Sequence, residues 1–228
     1  MKIGIAFFGI LHGYEDREGV CRDYRHCWPN IRENIIDPLE KEDHLVSIYF
    51  STYDFENTSL RDEFLESLRP TNVILCKYEG SDQYTTKSAL FTAFEDEDLD
   101  TILWTRTDIH YMKHIDTWDI QYDKFNFLFR EKDHWDDGRQ FTTDNMYIWP
   151  HHMTRTVKDA MIETIEYEKS IGRKDTHALF GFLSRRLDST SIHIICPIEQ
   201  FSHDNNYYTL CRYFTRQVEP HTNAHSHE

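Results

Sequence analysis

Asp100-Thr-Ile-Leu-Trp-Thr-Arg-Thr-Asp-Ile-His110 carries a strand-forming run directly into a cation, a carboxylate and an imidazole. Short apolar runs of this kind suit a sheet buried on both faces, and such sheets present ligands beyond the carboxyl ends of their strands. Arg106, Asp108 and His110 therefore fall where an α/β protein builds its site. In extended backbone, side chains two residues apart share a face. Asp108 and His110 can then approach one metal ion directly or through water, and Arg106 shares the alternation. Oxygen ligands suit Mg²⁺ or Mn²⁺, and an imidazole shifts the preference towards Mn²⁺.

Outward from this stretch, apolar runs alternate with helical spacing. Residues 2–8 read as a first strand ending at Gly9, and residues 12–23 as a polar passage into a helix through Trp28, Ile31, Ile35 and Ile36. Pro38 is expected to end or bend that helix. Residues 45–50 form a second strand opening into the polar loop 51–54, residues 60–68 a helix, and residues 73–76 a third strand. A helix over 86–97 precedes the fourth strand at 100–105. Residues 116–150, dense in aromatics and acids, suggest mixed short strands and a substrate-facing loop. Helices follow at 153–169 and 176–187, then a late strand at 192–195. The alternation predicts a single Rossmann-like α/β domain over 1–217, with a mainly parallel central sheet flanked by helices. Residues 218–228 read as a flexible C-terminal tail.

The chain has 228 residues, of which 39% are hydrophobic, enough for one substantial core. A formal net charge of −15 argues against a broad basic face of the kind that holds nucleic acid. No stretch reaches the roughly 18 to 20 apolar residues that a membrane span needs, and the N-terminus reads as a strand and not as a cleaved leader. Five cysteines without CxxC pairing point to reduced thiols and a cytoplasmic protein.

The order of segments resembles a glycosyltransferase of the GT-A type, particularly the small sugar transferases of bacterial polysaccharide loci and large DNA viruses. The resemblance is carried by Ile3-Gly-Ile-Ala-Phe-Phe-Gly9, Tyr49-Phe-Ser-Thr-Tyr-Asp54, Leu103-Trp-Thr-Arg-Thr-Asp108 and Thr143-Asp-Asn-Met-Tyr-Ile148, and it extends to about residue 200. It implies a nucleoside diphosphate sugar as donor, a saccharide or glycoprotein as acceptor, and a role in glycan biosynthesis. A divalent cation would bridge the two phosphates and stabilise the leaving group. The metal motif common in this fold is Asp-x-Asp, whereas this chain carries Asp108-x-His110.

By the same resemblance, Phe8, Gly9, Thr52 and Tyr53 lie beside the nucleotide, with Gly9 allowing close backbone approach. Asp108 meets the donor ribose or metal, His110 is the conditional metal ligand, and Arg106 braces the loop or binds phosphate. Lys87 has the diphosphate as its functional partner and solvent at a helix start as its ordinary setting. An inverting transfer needs a carboxylate base. The candidates are Asp144, Asp136 and Asp137, with Asp144 favoured because the apolar run 146–149 anchors it. Trp135 and Trp149 are candidate sugar-stacking rings, and His151, His152 and His177 candidate cleft histidines. Two other functions fit the same residues: a non-catalytic carbohydrate-binding module, and a metal-dependent phosphohydrolase built on Asp108, His110 and the histidines at 151, 152 and 177.

Overall fold

The computed structural model describes residues 1–9, 12–15, 21–23, 25–54, 58–77, 83–132, 141–172, 176–201 and 204–210, with backbone alone at 12–15, 21–23, 60 and 83–84. Seven strands form the central sheet: β1 (Lys2–Phe8), β4 (Leu45–Tyr53), β5 (Asn72–Cys76), β6 (Thr101–Arg106), β8 (Phe125–Glu131), β9 (Met146–Pro150) and β10 (Ile192–Gln200). Across the sheet they run β5-β4-β1-β6-β9-β8-β10, which is 3-2-1-4-6-5-7 when these seven are counted along the chain. Only β9 opposes the others, pairing antiparallel with both β6 and β8. The four-stranded half β5-β4-β1-β6 is parallel throughout. Two short pairs lie outside this sheet: β2 (His12–Glu15) with β3 (Cys21–Asp23), and β7 (Ile109–Tyr111) with β11 (Tyr208–Leu210).

Both faces of the sheet are covered, which explains why its strands read as unbroken apolar runs instead of alternating. Ile3, Ile5 and Phe7 of β1 point into one core, with Trp28, Ile31, Ile35, Ile36 and Phe64 from the helices on that side. Those residues come from α1 (Cys27–Ile31), a π turn (Arg32–Ile36) and α3 (Thr58–Leu68), and α2 (Asp37–Lys41) adds Leu39. Ala6 and Phe8 point the other way, against Leu90, Phe91 and Phe94 of α4 (Gln83–Phe94) and Val157, Ala160 and Met161 of α5 (Thr154–Ser170). Leu179 and Leu183 of the short α6 (Leu179–Leu183) complete that second core.

Several boundaries differ from those the sequence suggests, each for a local reason. The segment 51–54 is not all loop, because Ser51, Thr52 and Tyr53 remain paired to β5 and buried. Pro38 does not end its helix. The chain widens into the π turn first, which leaves proline in the opening turn of α2, where no N–H is required. The helix over 176–187 contracts to Leu179–Leu183, and the late strand extends to Gln200 along β8. The polar passage 12–23 contains the β2-β3 pair. The tail 218–228 lies outside the described residues.

Candidate functional site

Order reverses at β1. The chain leaves it for β4 on one side and later returns to β6 on the other, which puts the switch point, where sheets of this class form their ligand crevice, beyond the carboxyl ends of β1 and β6. Phe8 and Arg106 are partners in register at that end. Gly9 follows β1 with φ 122°, a conformation that L side chains rarely adopt. The Thr52 hydroxyl, at the end of β4, donates to the Gly9 carbonyl at 2.8 Å and ties the two strand ends together.

Charged groups meet beneath this crevice. Arg106 and Asp108 sit on one face, as their two-residue spacing predicts, and form a two-pronged pair: Nε to Oδ1 at 2.7 Å and Nη2 to Oδ2 at 2.6 Å. Nη1 of Arg106 also donates to Oδ1 of Asn145 at 3.3 Å. Asp144, two residues before β9, lies 3.9 Å from Nζ of Lys87 and 3.7 Å from Nε2 of His177. His177 presents its other nitrogen to Glu131 at the end of β8, 2.6 Å away. Lys87 is wholly buried; its ammonium donates to Oγ1 of Thr176 at 2.9 Å and lies 4.8 Å above the Phe8 ring. Acid and base thus alternate from Glu131 through His177 and Asp144 to Lys87, with Arg106 and Asp108 beside them.

Burial alone raises the pKa of the Asp144 carboxyl, but His177, Lys87, Arg106 and a hydrogen bond from the Thr176 backbone overcome it and hold the group well below the usual carboxylate range. A carboxylate in that state is a fixed anion and a weak proton acceptor. Tyr208, from β11, closes the other side: its hydroxyl pairs with Thr143 and accepts from Nδ2 of Asn145, both at 2.7 Å.

The remaining candidates are spread more widely. Lys87 is not a solvated residue at a helix start. The Phe8 ring is buried against Trp104, centroids 5.4 Å apart, and Tyr53 is buried too, so neither ring stands open to a base. His110 pairs with Thr209 across β7 and β11, with Nε2 3.4 Å from Nδ2 of Asn30, and burial and nearby His26 push its pKa down. His151 and His152 lie at the opposite end of the strands, beside the start of β6: the His151 N–H donates to the carbonyl of Asp100, just before β6, and its Nε2 is 2.9 Å from the Phe94 carbonyl. A phosphohydrolase would thereby lose two of its three additional histidines. Trp149 is core, stacked on Phe125 at 5.8 Å. Asp136, Asp137 and Trp135 lie outside the described residues.

Glu131 and Asn145 join the site without having been singled out by sequence. The signal for Glu131 was its place two residues past the apolar run 125–129, the same strand-end logic that marks Arg106 and Asp108. Among the described residues, no group of three His, Cys, Asp or Glu side chains forms a metal cluster. Cys27 is disulfide-bonded, which corrects the expectation of reduced thiols throughout; Cys76 and Cys196 are free and buried. No helix among the described residues is long and apolar enough to cross a membrane.

No protein-family model matches the chain, and no curated protein matches it. Among solved structures, it is similar to the galactosyltransferase LgtC crystallised with donor and acceptor sugar analogues. That likeness has a TM-score of 0.51 at 12% identity and covers 85% of this chain and 73% of LgtC. The chain therefore has a GT-A-like fold, with its charged cluster at the switch point of the sheet.

Proposed function

We propose that this protein is a glycosyltransferase that moves a monosaccharide from a nucleoside diphosphate sugar to a glycan or glycoprotein acceptor. The observation that carries the proposal is the placement of Arg106, clamped by Asp108, at the crevice beyond β1 and β6 of a GT-A-like fold. Gly9 lets the donor approach the backbone closely, and Thr52 fixes the carbonyl beside it. A guanidinium at the strand end suits a diphosphate, because it is permanently charged and carries five N–H donors in a fixed plane.

Asp144 serves in this scheme as the anion that orients Lys87 and His177. Its depressed proton affinity leaves Asp136 or Asp137 to take the acceptor proton if the reaction inverts. Asp108 and His110 do not fit together as a metal pair in the arrangement described, because both oxygens of Asp108 are engaged by Arg106 and His110 faces Asn30.

A panel of nucleotide sugars, offered to the folded chain with and without Mn²⁺, tests the assignment through release of nucleoside diphosphate. One donor is expected to be turned over or hydrolysed. A folded sample that neither binds nor hydrolyses any of them would sink it.

A further inference from the structure

We propose that Arg106 is the cation that stabilises the departing diphosphate, and that the site works without a divalent metal. This deepens the glycosyltransferase assignment and rests on it.

Asp108 is the carboxylate that the glycosyltransferase resemblance offers to a metal, and both of its oxygens are bonded to one guanidinium at 2.7 and 2.6 Å. A hard cation would need those oxygens at about 2.0–2.2 Å, in the space the guanidinium fills and against its charge. His110, the other half of the expected pair, is held towards α1. Asn30 bonds both backbone groups of the neighbouring Tyr111, at 2.5 Å from its N–H and 3.0 Å to its carbonyl, and its Nδ2 lies 3.4 Å from the imidazole. The next carboxylate, Asp144, is matched by Lys87 and His177 on one side and by the field of Arg106 on the other. Asp108 and Asp144 are thus each already matched by a cation of the chain, Arg106 and Lys87. Arg106 keeps 19% of its side-chain surface exposed, whereas Lys87 keeps none. Arg106 is therefore the cation placed to meet a ligand, and Lys87 sets the geometry behind it.

In the transfer, the acceptor oxygen bonds to the anomeric carbon as the bond from that carbon to the diphosphate breaks. The electron pair leaves with the diphosphate, and the acceptor proton passes to a carboxylate base. Negative charge grows on the leaving phosphates, and donors already aimed there stabilise it without reorganisation. A guanidinium fixed by Asp108 and Asn145 has that property.

The test uses the full chain and three readouts. Calorimetry with UDP and GDP in EDTA and in Mn²⁺ is expected to show one of them binding equally in both. Turnover with the matching nucleotide sugar is expected to agree within about twofold between the two conditions. Paramagnetic resonance of Mn²⁺ is expected to show the free-ion spectrum with and without the diphosphate. Arg106→Lys, checked for fold by circular dichroism, should lower kcat by roughly 10²-fold or more, the usual effect of removing an oriented donor. If that variant fails to fold, Arg106→Ala with added guanidinium replaces it, and partial rescue is expected.

Diphosphate binding or turnover that vanishes in EDTA and returns with Mn²⁺ overturns the inference while leaving the glycosyltransferase assignment standing. A bound-Mn²⁺ spectrum lost in Asp108→Asn does the same. Failure of every nucleotide and nucleotide sugar in both conditions removes the assignment and the inference together.

Discussion

Lys87 holds its ammonium, without solvent contact, between the Thr176 hydroxyl and the Asp144 carboxylate. Removing one member of a buried pair strands the other, at a cost on the order of 3 kcal/mol. Lys87→Met is therefore expected to lower the thermal midpoint by several degrees. Lys87→Met with Asp144→Asn should cost less than the two singles added together, as a double-mutant cycle in denaturant would show. Additivity would mean that the pair is not coupled. Acid unfolding gives an independent check on Asp144. Its folded pKa lies below the unfolded one, so its contribution is complete above the ordinary carboxylate range, near pH 4, and fades as pH falls below that. Asp144→Asn should flatten the acid limb of the stability profile, and an unchanged limb would count against the ion cluster. At this scale the sequence was informative about position and poor about partners. Strand-end logic found Arg106 and Asp108 because position along a strand is local. That Asp108 would spend both oxygens on Arg106, and that Lys87 would be enclosed by Phe8, Thr176 and Asp144, depends on residues up to 89 positions apart.

Antiparallel β9 joins the two parallel parts of the sheet. Its Trp149 stacks on Phe125 of β8, and Nε1 donates to the Thr154 hydroxyl at the start of α5. Trp149→Ala is expected to destabilise by about 3–5 kcal/mol, the usual range for deleting a buried aromatic, while leaving glycan affinity unchanged in any variant that still folds. Lost glycan affinity in a folded, otherwise stable variant would restore the sugar-stacking role. Elements β1, β4, β5 and β6 could be read from sequence because each is a short apolar run followed by polar residues. The region 116–150 was harder. In β8 and β9 nearly every residue is buried, so periodicity gives no face to read, and direction within a sheet leaves no mark on composition. The π turn before Pro38 was equally invisible, since proline signals a break without saying how the chain accommodates it.

At the scale of the whole molecule, two cores close over one sheet and two buried tyrosines flank the site. Burial raises the pKa of Tyr111 and of Tyr208; their hydrogen bonds to Thr105 and to Thr143 and Asn145 offset part of this, and nearby carboxylates add to it. Folded pKa values above the unfolded one mean that their stabilisation is complete below about pH 10 and is lost as pH rises beyond it. Chemical denaturation between pH 8 and pH 12, on the order of one unit apart, should show stability falling only above about 10, with the loss reduced in Tyr208→Phe. A flat profile would contradict their burial. The acidic balance of the chain is consistent with a local phosphate site, not a basic face. The most direct test of the central claim is a crystal structure of the full chain with UDP or GDP. The account predicts a nucleoside diphosphate beyond the carboxyl ends of β1 and β6, with its phosphates on Arg106 and its ribose near Gly9. A diphosphate bound elsewhere, or a crevice that stays empty at saturating nucleotide, would contradict it.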